Sequence, residues 1–298
     1  MPALCLGEAI VDLVCERPVR DWDEADAFVP HFGGAVANVA VAAARLGADV
    51  ALAGGAGDDP WGRWLHARLV KERVGLRWFR LLERVSTPVA FVLVDRGGEP
   101  AYRLYGEGIE AIVRAAGPIL PDAVARSDAF CFSSNTLAGE GQRRLTLDAR
   151  RAALAAGRAV CFDPNLRLHR WPAADAAVAA CRECLDRALL VRCNHEEARL
   201  LTGEPDPDRA ARALVAAGAR VAVVTLGADG ALARGEAMAD VPPHPAEVVS
   251  TVGAGDVLMG TLLGRLALAD WDPCAIAAAL PEAVEAAARA TERWGAFE

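Results

Sequence analysis

Asp256 closes a short run, Thr251-Val252-Gly253-Ala254-Gly255-Asp256, which follows the β-branched residues Val248 and Val249 and leads into Val257-Leu258-Met259. The pattern predicts an extended segment, a small-residue turn and then a helix. Gly253 and Gly255 let the backbone turn sharply and come close to a ligand. The first N–H groups of the helix lack intrahelical partners and point above the turn, where an anion is favoured. A carboxylate at the same spot suits a centre that handles both a phosphoryl group and a proton. An aspartate in a first helical turn is also an ordinary cap, and this segment alone leaves both readings open.

Four other polar groupings carry chemistry. Gly33-Gly34 and Asn38 open an alanine-rich helix that stops at Leu46-Gly47, with Asp12 set among apolar residues upstream. Asp163-Pro164-Asn165-Leu166-Arg167 follows a predicted strand at 159–162, and Asn194-His195-Glu196-Glu197 follows another at 189–192. Thr225-Leu226-Gly227-Ala228-Asp229-Gly230 follows a third at 221–225. Any one of these is ordinary turn chemistry. A parallel sheet, however, binds its ligands beyond the carboxyl ends of its strands. Together the groupings put five polar turns on one such edge.

The elements that must position these turns alternate. Strand patterns at 3–7, 50–55, 129–132, 159–162, 189–192 and 221–225 are separated by helical patterns, the rhythm of a parallel sheet covered on both faces. Between 76 and 105 the rhythm gives way to short alternating runs, with Asp95-Arg96-Gly97-Gly98 as a hairpin turn. The expected architecture is one α/β domain over residues 1–298. Its central sheet is mostly parallel, and a small β lid is formed by about 11–31 and 76–107.

Composition excludes several classes. The chain has 298 residues, 53% hydrophobic and 24% charged, enough to bury a sizeable core. Its net charge of −8 argues against a nucleic-acid partner. No apolar run is long enough for a membrane span, and the first residues carry no basic leader, so a cytoplasmic protein is expected. Eight scattered cysteines read as reduced and buried. Lys71 is the single lysine and has no glycine loop before it, which excludes P-loop and protein kinases. Gly7-Glu8-Ala9 does not supply a dinucleotide-binding fingerprint. Bound phosphates would have to be held by backbone amides and arginine.

Gly33-Gly34-Ala35-Val36-Ala37-Asn38, through Gly47 and Gly57, resembles the first signature of the ribokinase-like, PfkB-type carbohydrate kinases. Thr251 to Asp256 resembles the second, and Asp163 to Arg167 with Trp171 looks like the fructokinase and 2-keto-3-deoxygluconate kinase branch. The resemblance covers essentially the whole chain. It implies an ATP-dependent sugar kinase with Asp256 as the base and the amides of Gly253, Ala254, Gly255 and Asp256 as an anion hole. It implies Thr225, Gly227 and Gly230 on the ATP side, with Asn194 and Glu197 holding Mg²⁺ through water. Asp12, Gly33, Gly34 and Asn38 would meet the sugar. The sequence departs from the family at Ser250, where Asp is usual, at Thr261, where Gly is usual, and at Gly106, where fructokinases carry Arg.

A keto-acid substrate would need an arginine, and Arg103 and Arg167 are the candidates. Strand alternation puts Arg103 with Tyr105 on one face and Tyr102 with Leu104 on the other. A neutral ketose such as fructose is the expected acceptor. The alternatives are 2-keto-3-deoxygluconate, a nucleoside seated on Tyr102 or Tyr105, and a non-catalytic sugar sensor. Either a monomer or a homodimer is compatible with the sequence.

Overall fold

The computed structural model describes residues 1–105 and 108–297. Gly106 and Glu107, which include the departure at Gly106, lie outside the described residues. In chain order the strands are β1 (Ala3–Glu8), β2 (Ile10–Val14), β3 (Val29–Gly33), β4 (Val50–Gly57), β5 (Phe79–Leu82), β6 (Val89–Val94) and β7 (Pro100–Tyr105). They continue as β8 (Ala129–Ser133), β9 (Ala159–Asp163), β10 (Leu190–Asn194), β11 (Val221–Thr225), β12 (Ala231–Gly235) and β13 (Ala239–Val241). Nine of them form one sheet in the order β13-β12-β11-β10-β9-β8-β1-β4-β5, and four form a second in the order β3-β2-β6-β7. The large sheet is parallel from β5 to β11 and antiparallel only at the β11-β12-β13 edge.

Burial follows from this layering. Strands covered on both faces read as continuous apolar runs, and every residue of β1, β4 and β8 is buried. β7 instead alternates half-buried and exposed residues, because only one face of the small sheet is covered. The chain leaves the large sheet at Ala9, so β2 starts the small sheet instead of prolonging β1. The segment at 76–82 corrects the expected lid boundary. β5 pairs in parallel with β4, Gly54 opposite Phe79, and closes the edge of the large sheet. Phe79 is buried there, and four residues were too few to show a period.

One helix pair sets the geometry of the site. The helix Ala35–Arg45 is almost all alanine and valine, and it packs against the helix Ala254–Leu268. A Cβ at Gly260 would fall 2.5 Å from the Cβ of Ala42 and from the carbonyl oxygen of Val39. With glycine there the two helices come close enough for their first turns to touch. Thr261, beside it, donates its hydroxyl to the Val257 carbonyl at 2.8 Å, so its polarity is absorbed within its own helix.

Candidate active site

A cavity of about 1030 Å³ opens at the carboxyl ends of the parallel strands and runs beneath the small sheet. Asp256 lies at its floor, in the first turn of Ala254–Leu268, and is buried. The turn before it is left-handed at Gly253, φ 75°, where a Cβ would also meet Ala296 at 2.3 Å. The Ala254 N–H is directed at the Thr251 carbonyl, 3.3 Å away. That takes Ala254 out of the expected anion hole and leaves the amides of Gly253, Gly255 and Asp256 as its candidates.

Asp256 is held by two amides from different parts of the chain. Asn38 Nδ2 donates to Oδ2 at 2.9 Å, and Asn165 Nδ2 donates to Oδ1 at 3.0 Å. Asn38 thus positions the carboxylate instead of being wholly free for a ligand, although its Oδ1 stays buried without a partner among the described residues. Asn165 sits at φ 39° in the Asp163-Pro164-Asn165 turn, with its own N–H on Asp163 Oδ1 at 3.0 Å. Burial pushes the Asp256 carboxyl above the ordinary carboxylate range, opposed by the Asn38 bond and then by Arg167 and Arg192. A raised carboxylate that accepts two amide N–H bonds is suited to take up a proton.

At one end of the cavity the small sheet meets β1. Ala90 stands between Asp12 and Leu104, and Val92 between Val14 and Tyr102, so these residues share the sheet's inner face. Asp12 is buried, its Oδ1 has no partner among the described residues, and burial followed by the Asp256 charge pushes its pKa up to about 7. Gly33 does not line the cavity but backs Asp12, since a Cβ there would lie 2.4 Å from Asp12 Oδ2. Gly34 lines it and caps Ala35–Arg45 at φ 104°, where any side chain would strike the Glu8 carbonyl. Glu8, the last residue of β1, is a further buried carboxylate on the wall, with Oε2 unpartnered among the described residues. It had no signal in the sequence beyond its position at a strand end.

Arg103 corrects an expectation. It is exposed, on the outer face of β7, with its guanidinium over the Trp22 ring at 5.6 Å. Tyr102 and Leu104 are the inward residues, as alternation requires. Arg167 does line the cavity, with its guanidinium 5.3 Å from the Tyr102 ring centre.

At the other end, Thr225 closes β11, Gly227 and Gly230 follow it, and all three line the cavity beside Pro243, His244 and Pro245. Asn194 and Glu197 also reach it, but their oxygens are engaged. Asn194 Oδ1 accepts from the Glu197 N–H at 2.8 Å, and Glu197 Oε2 accepts from the Asn194 N–H at 2.9 Å. Glu197 Oε1 takes the Leu166 N–H at 2.7 Å. This is a capping box that also ties down the turn after β9. Among the described residues no group of three His, Cys, Asp or Glu could hold a metal. The donor set fits a Mg²⁺ carried on phosphates with waters between, not a cage of direct protein ligands.

Arg192 escaped the sequence reading because it sat inside an apolar strand run. It is buried, donates Nη1 to Asp163 Oδ2 at 3.2 Å and Nη2 to Thr225 Oγ1 at 3.0 Å, and lines the cavity.

A doubly covered parallel sheet, a helix N-terminus bearing an aspartate and a long cleft between them define a phosphotransferase of the kinase type. The comparisons agree. The model of the pfkB family carbohydrate kinases matches residues 3–294, and the chain belongs to that family. It is 33% identical to fructokinase-1 of Oryza sativa subsp. japonica over 87% of this chain and 81% of that protein. The fructokinase from Vibrio cholerae, in a form with fructose, ADP and calcium bound, superposes with a TM-score of 0.85 at 29% identity, covering 99% of this chain and 94% of that one. Aminoimidazole riboside kinase from Salmonella enterica, complexed with aminoimidazole riboside and an ATP analogue, gives 0.83 at 28% identity, with 99% and 95% covered. The reaction class is transfer of a phosphoryl group to a sugar hydroxyl.

Proposed function

We propose that this chain is an ATP-dependent kinase for a neutral sugar, fructose or a close relative. Asp256 carries the reading. Its two oxygens are oriented by Asn38 and Asn165 at the mouth of a helix N-terminus, with sugar-sized space on one side and phosphate-lining turns on the other.

The acceptor sugar occupies the end lined by Glu8, Asp12, Tyr102 and Leu104. Buried carboxylates with unpartnered oxygens accept hydroxyl hydrogens, and a ligand that supplies them relieves an unmet polar demand. Asp256 takes the proton from the attacking hydroxyl, and the Gly255 and Asp256 amides steady the charge that grows on the equatorial oxygens. Thr225, Gly227 and Gly230 meet the nucleotide's phosphates and ribose. When bound, Mg²⁺ neutralises phosphate charge, and Asn194 with Glu197 faces its water shell. The small sheet acts as a lid that excludes water from the centre.

The neutral acceptor is favoured over a keto acid because Arg103 faces away, Arg167 is engaged on the Tyr102 ring and two carboxylates line the sugar end. A nucleoside is disfavoured because the Tyr102 ring is already covered by Arg167. The test is kcat/KM, by coupled ADP release, for fructose, 2-keto-3-deoxygluconate and aminoimidazole riboside. Fructose should lead. Either competitor ahead by more than about tenfold contradicts the assignment.

A further inference from the structure

Among the described residues that line the cavity, the sugar-kinase reading leaves one buried cation without an assigned duty. Arg192 lies on the face of β10 beneath Ala254–Leu268, while its neighbours Val191 and Cys193 point into the opposite core. A guanidinium inside a parallel sheet is costly unless its donors are met. It carries five N–H groups. Protein acceptors take Nη1 and Nη2 once each, at Asp163 and Thr225, and Nε has no partner among the described residues.

The place of the head group is fixed by Gly255. A Cβ there would fall 2.5 Å from Nη1 and 2.6 Å from Nη2. The guanidinium therefore lies directly against the backbone of the anion hole. It also lies within electrostatic reach of Asp256 and Glu197. No lysine can take this place, since the chain's one lysine, Lys71, is exposed at the end of the helix Pro60–Lys71. Of the other two cavity arginines, Arg167 is stacked on Tyr102 of the small sheet, on the acceptor side, and Arg170 donates Nη1 to Asn135 Oδ1 at 2.9 Å.

We propose that Arg192 is a catalytic residue, its guanidinium donating to oxygens of the transferring phosphoryl group between the Gly255 amide and Thr225. Asp163 and Thr225 then act as positioning residues that hold the planar fork edge-on to the phosphate. No covalent step is added, because the cation only stabilises charge as the bond to the leaving oxygen breaks and that to the sugar oxygen forms. The proposal rests on the phosphoryl-transfer reading. The competing role is purely structural, neutralisation of the carboxylates around it.

The test compares wild type with Arg192→Ala and Arg192→Lys, using the sugar and ATP at saturation. Wild-type turnover is measured first, and its absence would sink the kinase reading whatever Arg192 does. With wild type active, Arg192→Ala should keep its circular dichroism spectrum and hold its sugar KM within about threefold. Its kcat should fall by about 10²–10³. Guanidinium ion at low millimolar concentration should then restore kcat at least tenfold, and should do nothing for Asp256→Asn. A folded Arg192→Ala that keeps more than a tenth of wild-type kcat overturns the proposal, and so does one that guanidinium fails to rescue. Should Arg192→Ala not fold, Arg192→Lys decides. A kcat loss of tenfold or more at unchanged sugar KM supports the fork, and a smaller loss overturns it.

Discussion

At the residue scale, Asp12 makes a pH-dependent claim. Its folded pKa of about 7 lies above the ordinary 3.8, because the carboxyl is buried and faces Asp256. Below about pH 7 it holds a proton and above it becomes a hydroxyl acceptor. Without ligand, the folded state keeps that proton where the unfolded chain would lose it. The Asp12 contribution to stability is thus full below 3.8 and declines as pH rises toward 7. Sugar hydroxyls favour the charged form, so the sugar KM should fall as pH rises from 6 to 8. Asp12→Asn should raise KM and flatten the profile. A wild-type KM that does not change with pH, measured beside a normal kcat profile, would remove Asp12 from the sugar.

Which residues could be read from sequence follows from how local their signals are. Gly253, Gly255 and Asp256 are contiguous and announce themselves. Asn165 and Arg192 act across the sheet, and their partners are 91 and 29 residues away. Nothing in a linear pattern separates a buried strand arginine that contacts an anion hole from one that simply ends a strand. Arg103 shows the converse. Alternation placed it opposite Tyr102, but only the packing of the small sheet decides which face looks inward.

At the scale of elements, two turns carry the site, and each can be broken separately. Gly255→Val puts a branched side chain into the Arg192 guanidinium and over the anion hole. It should cut kcat by at least ~100-fold, while circular dichroism stays native. Normal turnover in that variant would place the anion hole elsewhere. Glu197 links the start of the helix His195–Thr202 to the turn after β9 by accepting two backbone N–H groups. A Gln amide can accept at one end only. Glu197→Gln should therefore cost about 1–3 kcal/mol, read as a lower urea midpoint at unchanged slope. An unchanged midpoint would mean the N–H groups are satisfied by solvent. The alternation of strands and helices was legible because each pattern has its own period. The edge strand β5 was not, because it is short and adjoins the segment that forms the small sheet.

At the scale of the whole molecule, the small sheet touches the rest of the domain beyond the points where the chain crosses between the two sheets. The hairpin turn between β6 and β7 touches the loop before Asp256. The Gly98 carbonyl accepts from the Thr251 N–H at 2.8 Å and from its hydroxyl at 3.2 Å. A sugar held by Asp12 on the small sheet and by Asp256 on the helix Ala254–Leu268 would bind the two together. Hydrogen exchange in Val89–Val94 and Pro100–Tyr105 should then slow at least about fivefold with sugar present, a shift toward a closed state. Unchanged exchange at saturating sugar would show that the sheet does not act as a lid.

The central claim is that Asp256 takes the proton from a sugar hydroxyl, and one pair of rates tests it most directly. Steady-state phosphorylation of fructose with saturating ATP and Mg²⁺ should be measured for wild type and for Asp256→Asn. Asparagine nearly preserves the shape between Asn38 and Asn165 but cannot accept the proton. The account predicts a kcat lower by ~10²–10⁴ with the ATP KM little changed. A mutant that keeps more than about a tenth of wild-type kcat would reduce Asp256 to a helix cap and contradict the account.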